Sequence, residues 1–210
     1  MKLFQHAASF ASIAVIAVIT AFTVQVKNTE DINRKVTAFQ VDGKNSKLLW
    51  TARKVTGQHE GTINVSSGTL NIESNSLRDG SFKLDTRSIS VTDITDKETN
   101  AKLVGHLKSD DFFSVEKYPS ADFVITGVKP QANGHYDITG KLTIKGITNS
   151  LTFPATVTVD KNILTAKAKI KVDRTKYDIK FRSKSYFENL GDKVIYDDFD
   201  LDITLVANAQ

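Results

Sequence analysis

The sequence contains no cysteine, and this absence excludes several kinds of chemistry. Disulfide bonds, thiol catalysis and cysteine-ligated zinc all require that residue. Membrane attachment through a lipid-modified cysteine is excluded as well. Methionine and tryptophan occur once each, whereas phenylalanine occurs twelve times. The apolar residues are therefore mainly aromatic and β-branched, which favours β-strands.

Patterns that signal catalysis are also scarce. The four histidines, at positions 6, 59, 106 and 135, lack the spacing of a metal site such as H-E-x-x-H. The sequence has neither a G-x-S-x-G nucleophile motif nor a glycine loop for phosphate. A metal or hydrolytic site can be drawn from His106, Asp110 and Asp111, but a helix start explains both aspartates at least as well. We expect no enzyme activity, no catalytic or metal-binding residues and no cofactor.

The charge of the chain gives little information about partners. The net charge is +4, from 28 basic and 24 acidic residues. Much of the basic content alternates with Asp and Glu, as on a solvated protein surface. We find no block of Lys and Arg interleaved with aromatic residues that resembles a nucleic-acid groove, so nucleic acid is not an expected partner. A preference for anionic membrane surfaces is compatible with this charge but not required by it.

One long hydrophobic run lies near the N-terminus. Residues 7–24 contain no charged side chain, and Lys2 is the one charge before Lys27. A basic start followed by an apolar run is typical of a secretory signal, although no clean cleavage site follows. The run also reaches the lower bound for crossing a bilayer. We expect residues 1–24 to be a signal peptide or a hydrophobic membrane-anchor helix, with a buried core helix as the third alternative. Polar residues 25–38 then form a linker.

From residue 39 onward, apolar and polar side chains alternate, which indicates β-strands. Turn signals separate the alternating runs at Asp79-Gly80, Asn133-Gly134, Lys145-Gly146 and residues 160–162. Short strands with regular turns predict an all-β antiparallel barrel or sandwich with an apolar inner face.

One stretch departs from this alternation. Thr95 and Glu98 have the spacing of a capping box, in which each side chain satisfies a backbone amide near the other, and apolar residues then recur at helical spacing. A second short helix is predicted to begin at Ser109, where two aspartates follow, and to end at Pro119. One or two short helices are therefore expected.

The inner faces of the strands provide the candidate binding residues. Such a face either packs as a dry core or lines a cavity, and small residues such as Ala155 and Gly140 leave room for a ligand. Phe112 and Phe113 either pack against the barrel end or form the lip of an entrance. The candidate ligand-binding residues are Phe82, Leu84, Phe112, Phe113, Phe123, Ile125, Leu142, Ile144, Phe153, Ala155, Val157, Ala168 and Ile170.

A motif in the centre of the chain, HLKSDDFFSVEKYPSADF at residues 106–123, resembles the signature of the YceI-like, polyisoprenoid-binding family. The stretch ITGKLTIKGITNSLTFP, at residues 138–154, is similar to a strand, turn and returning strand of that family. The similarity covers about residues 45–206, preceded by residues 25–44 as linker and start of the barrel. Further similar stretches lie at residues 50–70, 170–181 and 193–205.

The resemblance implies an eight-stranded antiparallel barrel of lipocalin type that holds an isoprenoid lipid or quinone-like tail. It implies an exported, periplasmic or otherwise extracytoplasmic protein without defining catalytic activity, and residues 7–24 leave open an anchor in the inner membrane. Two alternatives remain. One is a structural or adhesive β-domain with a packed core, and the other is an enzyme.

The charge-free run at residues 7–24 leads to the first prediction. We expect cell fractionation to find the domain outside the cytoplasm, since either form of the N-terminal segment directs export. Full-length chain in the membrane fraction would select the anchor over the cleaved signal. Full-length chain soluble in the cytoplasm would contradict the prediction.

Overall fold

The structure is a computed structural model, and it describes residues 35–210. The predicted signal peptide or anchor helix, residues 1–24, lies outside the described residues. Within the described range the chain forms nine β-strands and one α-helix. These elements are β1 (Val36–Val41), β2 (Lys47–Lys54), β3 (Gly57–Glu73), β4 (Ser76–Val91), α1 (Lys97–Lys108), β5 (Ser120–Pro130), β6 (His135–Ile144), β7 (Ile147–Asp160), β8 (Ile163–Asp173) and β9 (Ile195–Ala209).

The strands form one antiparallel sheet that closes into a barrel. From β2 the hydrogen-bonded order runs through β9, β8, β7, β6, β5 and β4 to β3, and β3 pairs again with β2. This closure confirms the predicted eight-stranded barrel, to which β1 is an addition. In a closed sheet the strands bond to a neighbour on both sides, so the wall satisfies its own backbone amides.

The additional strand β1 continues the line of β2. β3 pairs with β2 in its first half and with β1 in its second half, and β9 likewise pairs first with β2 and then with β1. Ser46 fixes the break between the two strands. Its hydroxyl donates to the carbonyl of Asp42 at 2.7 Å and accepts from the amide of Val206 at 3.0 Å. β1 begins at Val36, inside the range 25–38 that polar composition assigned to a linker.

Three of the predicted turns form as expected. Lys145 and Gly146 join β6 to β7 with φ values of 50° and 74°, in the left-handed region that tight hairpins require. Asn133 and Gly134 join β5 to β6 with φ values of 58° and 73°. Residues 160–162 join β7 to β8. Turn chemistry in the sequence therefore locates these hairpins correctly.

The turn predicted at Asp79-Gly80 is wrong. β3 and β4 are joined instead at Ser74 and Asn75, whose φ values are 50° and 63°. Asp79 and Gly80 lie inside β4, where Gly80 pairs with Leu70 of β3. A side chain at Gly80 would collide with that of Leu70. Glycine marks a close approach of two strands here and not a turn.

The helix α1 forms where it is predicted, but its N-cap is Asp96 and not Thr95. The Asp96 carboxylate accepts a hydrogen bond from the backbone amide of Thr99 at 2.9 Å. Hydrogen bonds from Thr99 lower the pKa of Asp96 below its usual value. A carboxylate therefore stands at the positive end of the helix, where it is a better cap than the threonine that the sequence pattern predicted. In the part of the chain that the structure describes, no helix is long and apolar enough to cross a membrane.

The second helix predicted at Ser109 does not form. Residues 109–118 make consecutive turns, and Ser114 adopts a left-handed φ of 46°. The carboxylate of Asp110 accepts a hydrogen bond from the Ser114 hydroxyl at 2.7 Å and caps no helix. A left-handed residue at this position interrupts any continuous α-helix, so the charge pattern alone is misleading.

The connections give the two ends of the barrel different structures. One end carries α1 with residues 109–119, the β6–β7 turn and the long segment 174–194. The other end carries the short turns at residues 74–75, 131–134 and 161–162. We call the first of these the capped end and the second the hairpin end.

A glycine allows two strands and an aromatic ring to approach closely near the capped end. A Cβ atom at Gly61 of β3 would lie 2.7 Å from Cζ2 of Trp50 and closer still to the carbonyl oxygen of Ser90. Ser90 belongs to β4, which pairs with β3 at this point. The neighbouring backbone therefore cannot move away without disturbing the barrel wall.

We predict that Gly61→Ala lowers the free energy of unfolding by about 1–3 kcal/mol, because the added methyl group overpacks this contact. Gly105→Ala is the matched control, since a Cβ atom at Gly105 in α1 has no neighbour within 4 Å. Alanine there should raise stability by up to about 1 kcal/mol through helix propensity. Urea denaturation measures both changes, and wild-type stability of Gly61→Ala would contradict the close approach.

Candidate binding cavity

The barrel encloses two adjoining cavities. The cavity toward the hairpin end has a volume of about 90 Å³ and the cavity toward the capped end about 100 Å³. Each cavity alone is smaller than the usual small-molecule site, about 300–1,000 Å³. Four leucines border both cavities, and we call them the leucine girdle: Leu48 of β2, Leu84 of β4, Leu142 of β6 and Leu201 of β9.

Aromatic and small side chains line the first cavity. The rings of Phe82 and Phe123 are stacked with their centroids 6.0 Å apart, and Phe153 lies 5.6 Å from Phe123. Ala155 of β7 stands opposite Ala168 of β8. Because neither alanine extends far from the wall, the cavity keeps its width along this strand pair.

One small residue does not widen the cavity. Gly140 is predicted to leave room for a ligand, but the ring of Phe123 occupies the space where a Gly140 side chain would lie. Phe123 and Gly140 are on the neighbouring strands β5 and β6. The glycine therefore accommodates an aromatic ring of the protein itself.

The second cavity is bounded by the capped end. Phe112 and Phe113 line it from the turns at residues 109–118, together with Leu107 of α1 and Ile179 of the segment 174–194. Phe112 is buried and Phe113 is half-buried. The two phenylalanines thus pack against the barrel end and form part of the cavity wall, and their place at the lip of an entrance stays a prediction.

All thirteen candidate residues lie on the walls of these cavities, although their contact with a ligand stays a prediction. Eight border the first cavity: Phe82, Phe123, Ile125, Phe153, Ala155, Val157, Ala168 and Ile170. Phe112, Phe113 and Ile144 border the second cavity, and Leu84 and Leu142 border both.

Some wall residues are missing from the sequence-based set. Leu48 and Trp50 come from β2, whose alternation is brief and runs into charged residues. Arg174, Ile179 and Ile195 come from or border the segment 174–194, which has no strand period to reveal them.

Arg174 is a buried cation beside the second cavity, with 5% of its surface exposed. Its Nη1 donates to the carbonyl of Ile179 at 2.8 Å, its Nη2 to Ile195 at 2.9 Å and its Nε to Tyr196 at 3.0 Å. Burial lowers the pKa of Arg174, but arginine remains protonated at neutral pH. The guanidinium therefore ties the segment 174–194 to the start of β9.

Asp197 supplies the counter-charge. Its Oδ1 lies 3.6 Å from Nη2 of Arg174, and its Oδ2 accepts a hydrogen bond from the Ser185 hydroxyl at 2.6 Å. Burial raises the pKa of Asp197, but hydrogen bonds from serine hydroxyls and the charge of Arg174 outweigh it and hold the pKa below its usual value. Both charges are thus used within the protein to fasten the capped end.

His106 packs between aromatic rings at the same end. Its ring lies edge-on to Phe112 and to Phe181, with centroid distances of 4.9 Å and 4.7 Å. Its Nε2 lies 2.9 Å from Oδ2 of Asp111, whereas Asp110 bonds Ser114. Among residues 35–210, no three His, Cys, Asp or Glu side chains are grouped so that they could hold a metal ion.

Comparison with known proteins identifies the family. The profile of the YceI-like domain matches residues 39–207. The chain belongs to the YceI-like family. This YceI-like chain is 33% identical over 95 residues to a UPF0312 protein of Shewanella denitrificans, covering 45% of the chain and 47% of that protein. It is 39% identical over 84 residues to Protein YceI of Escherichia coli O157:H7, covering 37% of the chain and 44% of that protein. The chain spans about half the length of the curated relatives it matches.

Solved structures share the barrel fold with this YceI-like chain. Burkholderia cenocepacia BcnA has a TM-score of 0.64 at 23% identity, covering 80% of this chain and 99% of BcnA. A second structure is a polyisoprenoid binding domain from Saccharophagus degradans, described as implicated in plant cell wall breakdown. It has a TM-score of 0.60 at 15% identity, covering 83% of this chain and 99% of that domain. At these identities the likeness establishes the fold.

We predict that Arg174→Met lowers the free energy of unfolding by about 3–5 kcal/mol, because three carbonyls and a carboxylate lose their partner. Arg78→Met is the matched control. Arg78 is exposed and pairs with Asp79 at the surface, where an ion pair contributes about 0–1 kcal/mol. Chemical denaturation of the two variants tests the prediction, and equal losses would contradict the role of Arg174 in fastening the capped end.

Proposed function

We propose that this YceI-like chain binds one long apolar lipid, an isoprenoid or quinone-like tail, inside its barrel. The hydrocarbon character of the cavity walls carries the proposal. Among the described residues, every residue that borders the first cavity is apolar except Lys167. In the second cavity the Thr86 hydroxyl already donates to the carbonyl of Tyr118 at 2.7 Å, and Arg174 bonds backbone carbonyls.

The energetics of such a wall favour a hydrocarbon chain. Each buried CH₂ group contributes about 0.8 kcal/mol, so a five-carbon isoprene unit contributes about 4 kcal/mol. Affinities saturate near roughly −18 kcal/mol, and a long tail therefore cannot gain in proportion to its length. Cavity length and the shape of the mouth should determine which lipid binds best.

The same wall determines how the lipid is oriented. Burying a polar headgroup without a hydrogen-bond partner costs about 1–3 kcal/mol or more. At the wall of the second cavity Thr86 and Arg174 are already bonded to the protein, and the buried indole N–H of Trp50 has no hydrogen-bond partner. A single donor does not satisfy both carbonyl oxygens of a quinone, so the headgroup should remain at a mouth while the tail occupies the interior. The leucine girdle lies where such a tail would pass from one cavity to the other.

The known relatives support the ligand class. The Saccharophagus degradans structure is named as a polyisoprenoid binding domain, and it shares the barrel fold. We further propose that the chain acts outside the cytoplasm and carries no enzymatic activity. The apolar run at residues 7–24 supports the first proposal, and the engagement of His106 with aromatic rings supports the second.

A structural or adhesive β-domain with a packed core is the second candidate. The contacts among Phe82, Phe123 and Phe153 favour it, because stacked rings already fill part of the first cavity. The two candidates differ in whether the remaining space receives a lipid.

Native mass spectrometry of the purified full-length chain tests the proposal. We expect a bound species with the mass of an isoprenoid lipid, which organic extraction then removes. Protein that shows no adduct under gentle ionisation, together with an extract free of lipid, would refute the proposal and favour the packed domain.

We predict that Ala155→Phe and Ala168→Phe each abolish lipid binding while the melting temperature of the delipidated protein stays unchanged or rises. The new ring would occupy space that the lipid otherwise fills. A packed core would instead be destabilised by about 1–3 kcal/mol. Delipidated protein must be compared, because a bound lipid itself stabilises the fold.

Ala101→Phe serves as the control for this pair, since Ala101 is exposed on α1 and borders neither cavity. It should leave both lipid binding and stability near the wild type. A clear drop in melting temperature for both cavity variants, but not for Ala101→Phe, would rule out a binding space at these positions.

A further inference from the structure

Residues 180–187, KFRSKSYF, interleave three basic and three aromatic residues and contain no acidic residue. This run corrects the expectation stated above that no such block is present. It lies in the segment 174–194, which covers the capped end of the barrel. Its position, more than its composition, suggests what it contacts.

Four large apolar side chains are exposed around this run. Val55 and Tyr186 are each 51% exposed, Phe187 is 50% exposed and Tyr196 is 44% exposed. Single exposed apolar residues are ordinary, but a group of them at one place indicates an interaction site. We call these four residues the rim patch.

Backbone and side-chain hydrogen bonds bring the rim patch together. The amide of Val55 donates to the carbonyl of Val194 at 3.1 Å, two residues before Tyr196. The amide of Ile195 donates to the carbonyl of Arg182 at 3.0 Å. The Ser185 hydroxyl bonds Asp197, as described above. The β2–β3 turn, residues 182–187 and the start of β9 are therefore neighbours.

The rim patch adjoins the second cavity. Tyr196 both borders that cavity and is exposed, so it stands at the mouth. Phe181 lies with its ring centroid 5.6 Å from that of Phe112, which lines the cavity, and the guanidinium of Arg182 lies 5.1 Å from the Phe181 ring. An apolar path thus leads from the cavity wall to the surface beside basic side chains.

The charge of the covering segment favours an anionic partner. Residues 174–194 contain six basic and three acidic residues. Of the acidic ones, Asp178 pairs with Lys180 at 2.8 Å. Arg182 and Lys184 are exposed and lie within five residues of Tyr186 and Phe187, the two exposed aromatic residues of the run.

We propose that the rim patch, with Arg182 and Lys184, docks the capped end onto an anionic phospholipid bilayer. Tyrosine and phenylalanine side chains insert at the bilayer interface, and basic side chains are attracted to anionic headgroups. The role of this surface as an entry route for lipid rests on the proposed lipid-binding function. A hydrocarbon tail that passes directly from bilayer to cavity avoids the unfavourable transfer through water.

The absence of cysteine permits a direct test in the full-length chain. Two variants each carry a single cysteine beside an exposed aliphatic residue. Thr56→Cys lies next to Val55 at the capped end, and Asn162→Cys lies next to Ile163 at the hairpin end. Both carry the same environment-sensitive fluorophore. Vesicles contain phosphatidylcholine alone or with phosphatidylglycerol, and a nitroxide-labelled lipid acts as quencher. Residues 7–24 are the same in both variants, so the comparison reports orientation.

We expect the Thr56→Cys probe to shift to the blue and to be quenched on vesicles with phosphatidylglycerol, and the Asn162→Cys probe to show neither change. Adding Arg182→Gln and Lys184→Gln should raise the lipid concentration for half-maximal quenching about tenfold or more. Each basic residue near an anionic surface contributes roughly fivefold. Lys129→Gln with Lys141→Gln makes the same charge change on the barrel wall and should have less than a twofold effect.

Equal quenching of the two probes, or no effect of the Arg182 and Lys184 changes, would overturn the proposal. A concentration-dependent shift without vesicles would assign the rim patch to a second copy of the chain, and a shift with short DNA would assign it to nucleic acid. Native mass spectrometry separates the two proposals. Bound lipid without quenching rejects the docking surface alone, whereas quenching without bound lipid rejects the lipid-binding function alone.

Discussion

β3 forms hydrogen bonds with both β2 and β4, which closes the sheet into a barrel, and the rest of the structure depends on this closure. A closed antiparallel wall satisfies its own backbone amides, so the interior needs no polar groups. The strands therefore direct mainly hydrocarbon inward and charged or hydroxyl side chains outward. With alanines facing each other at Ala155 and Ala168, those inward side chains do not fill the barrel. Space lined with hydrocarbon is the result, and it is the basis of the proposed lipid binding.

The capped end follows a different principle. Here the chain leaves the sheet, and its backbone carbonyls must find donors elsewhere. The side chain of Arg174 supplies three such hydrogen-bond donors, and Asp197 and Ser185 complete the network. Polar interactions thus hold the cover in place while phenylalanines face the cavity. A cover fastened by a few side chains can carry exposed aromatic and basic residues that the tightly paired wall cannot.

Much of this architecture could be predicted from the sequence. Period-two alternation places eleven of the thirteen candidate residues on cavity walls, because it shows which side chains of a strand face inward. Phe112 and Phe113 are adjacent residues outside the strands and are candidates as an aromatic pair. Local signals were less reliable. Gly80 permits a close approach inside β4, whereas Ser74 and Asn75 form the turn. The left-handed Ser114 prevents the second helix, and Arg174 lies in a segment without periodicity. These features depend on contacts between residues distant in sequence, which no local pattern encodes.

Trp50 offers the most direct test of the central claim, that a hydrocarbon chain occupies the barrel. It is the chain's single tryptophan and borders the second cavity. Bromine atoms quench indole fluorescence on contact, so titration with a polyprenyl lipid brominated along its tail reports entry into the interior. The account predicts saturable quenching at one lipid per chain, and it predicts that Ala155→Phe, which should abolish lipid binding, removes this quenching. Unchanged Trp50 fluorescence at lipid concentrations where binding is measured independently would contradict the account.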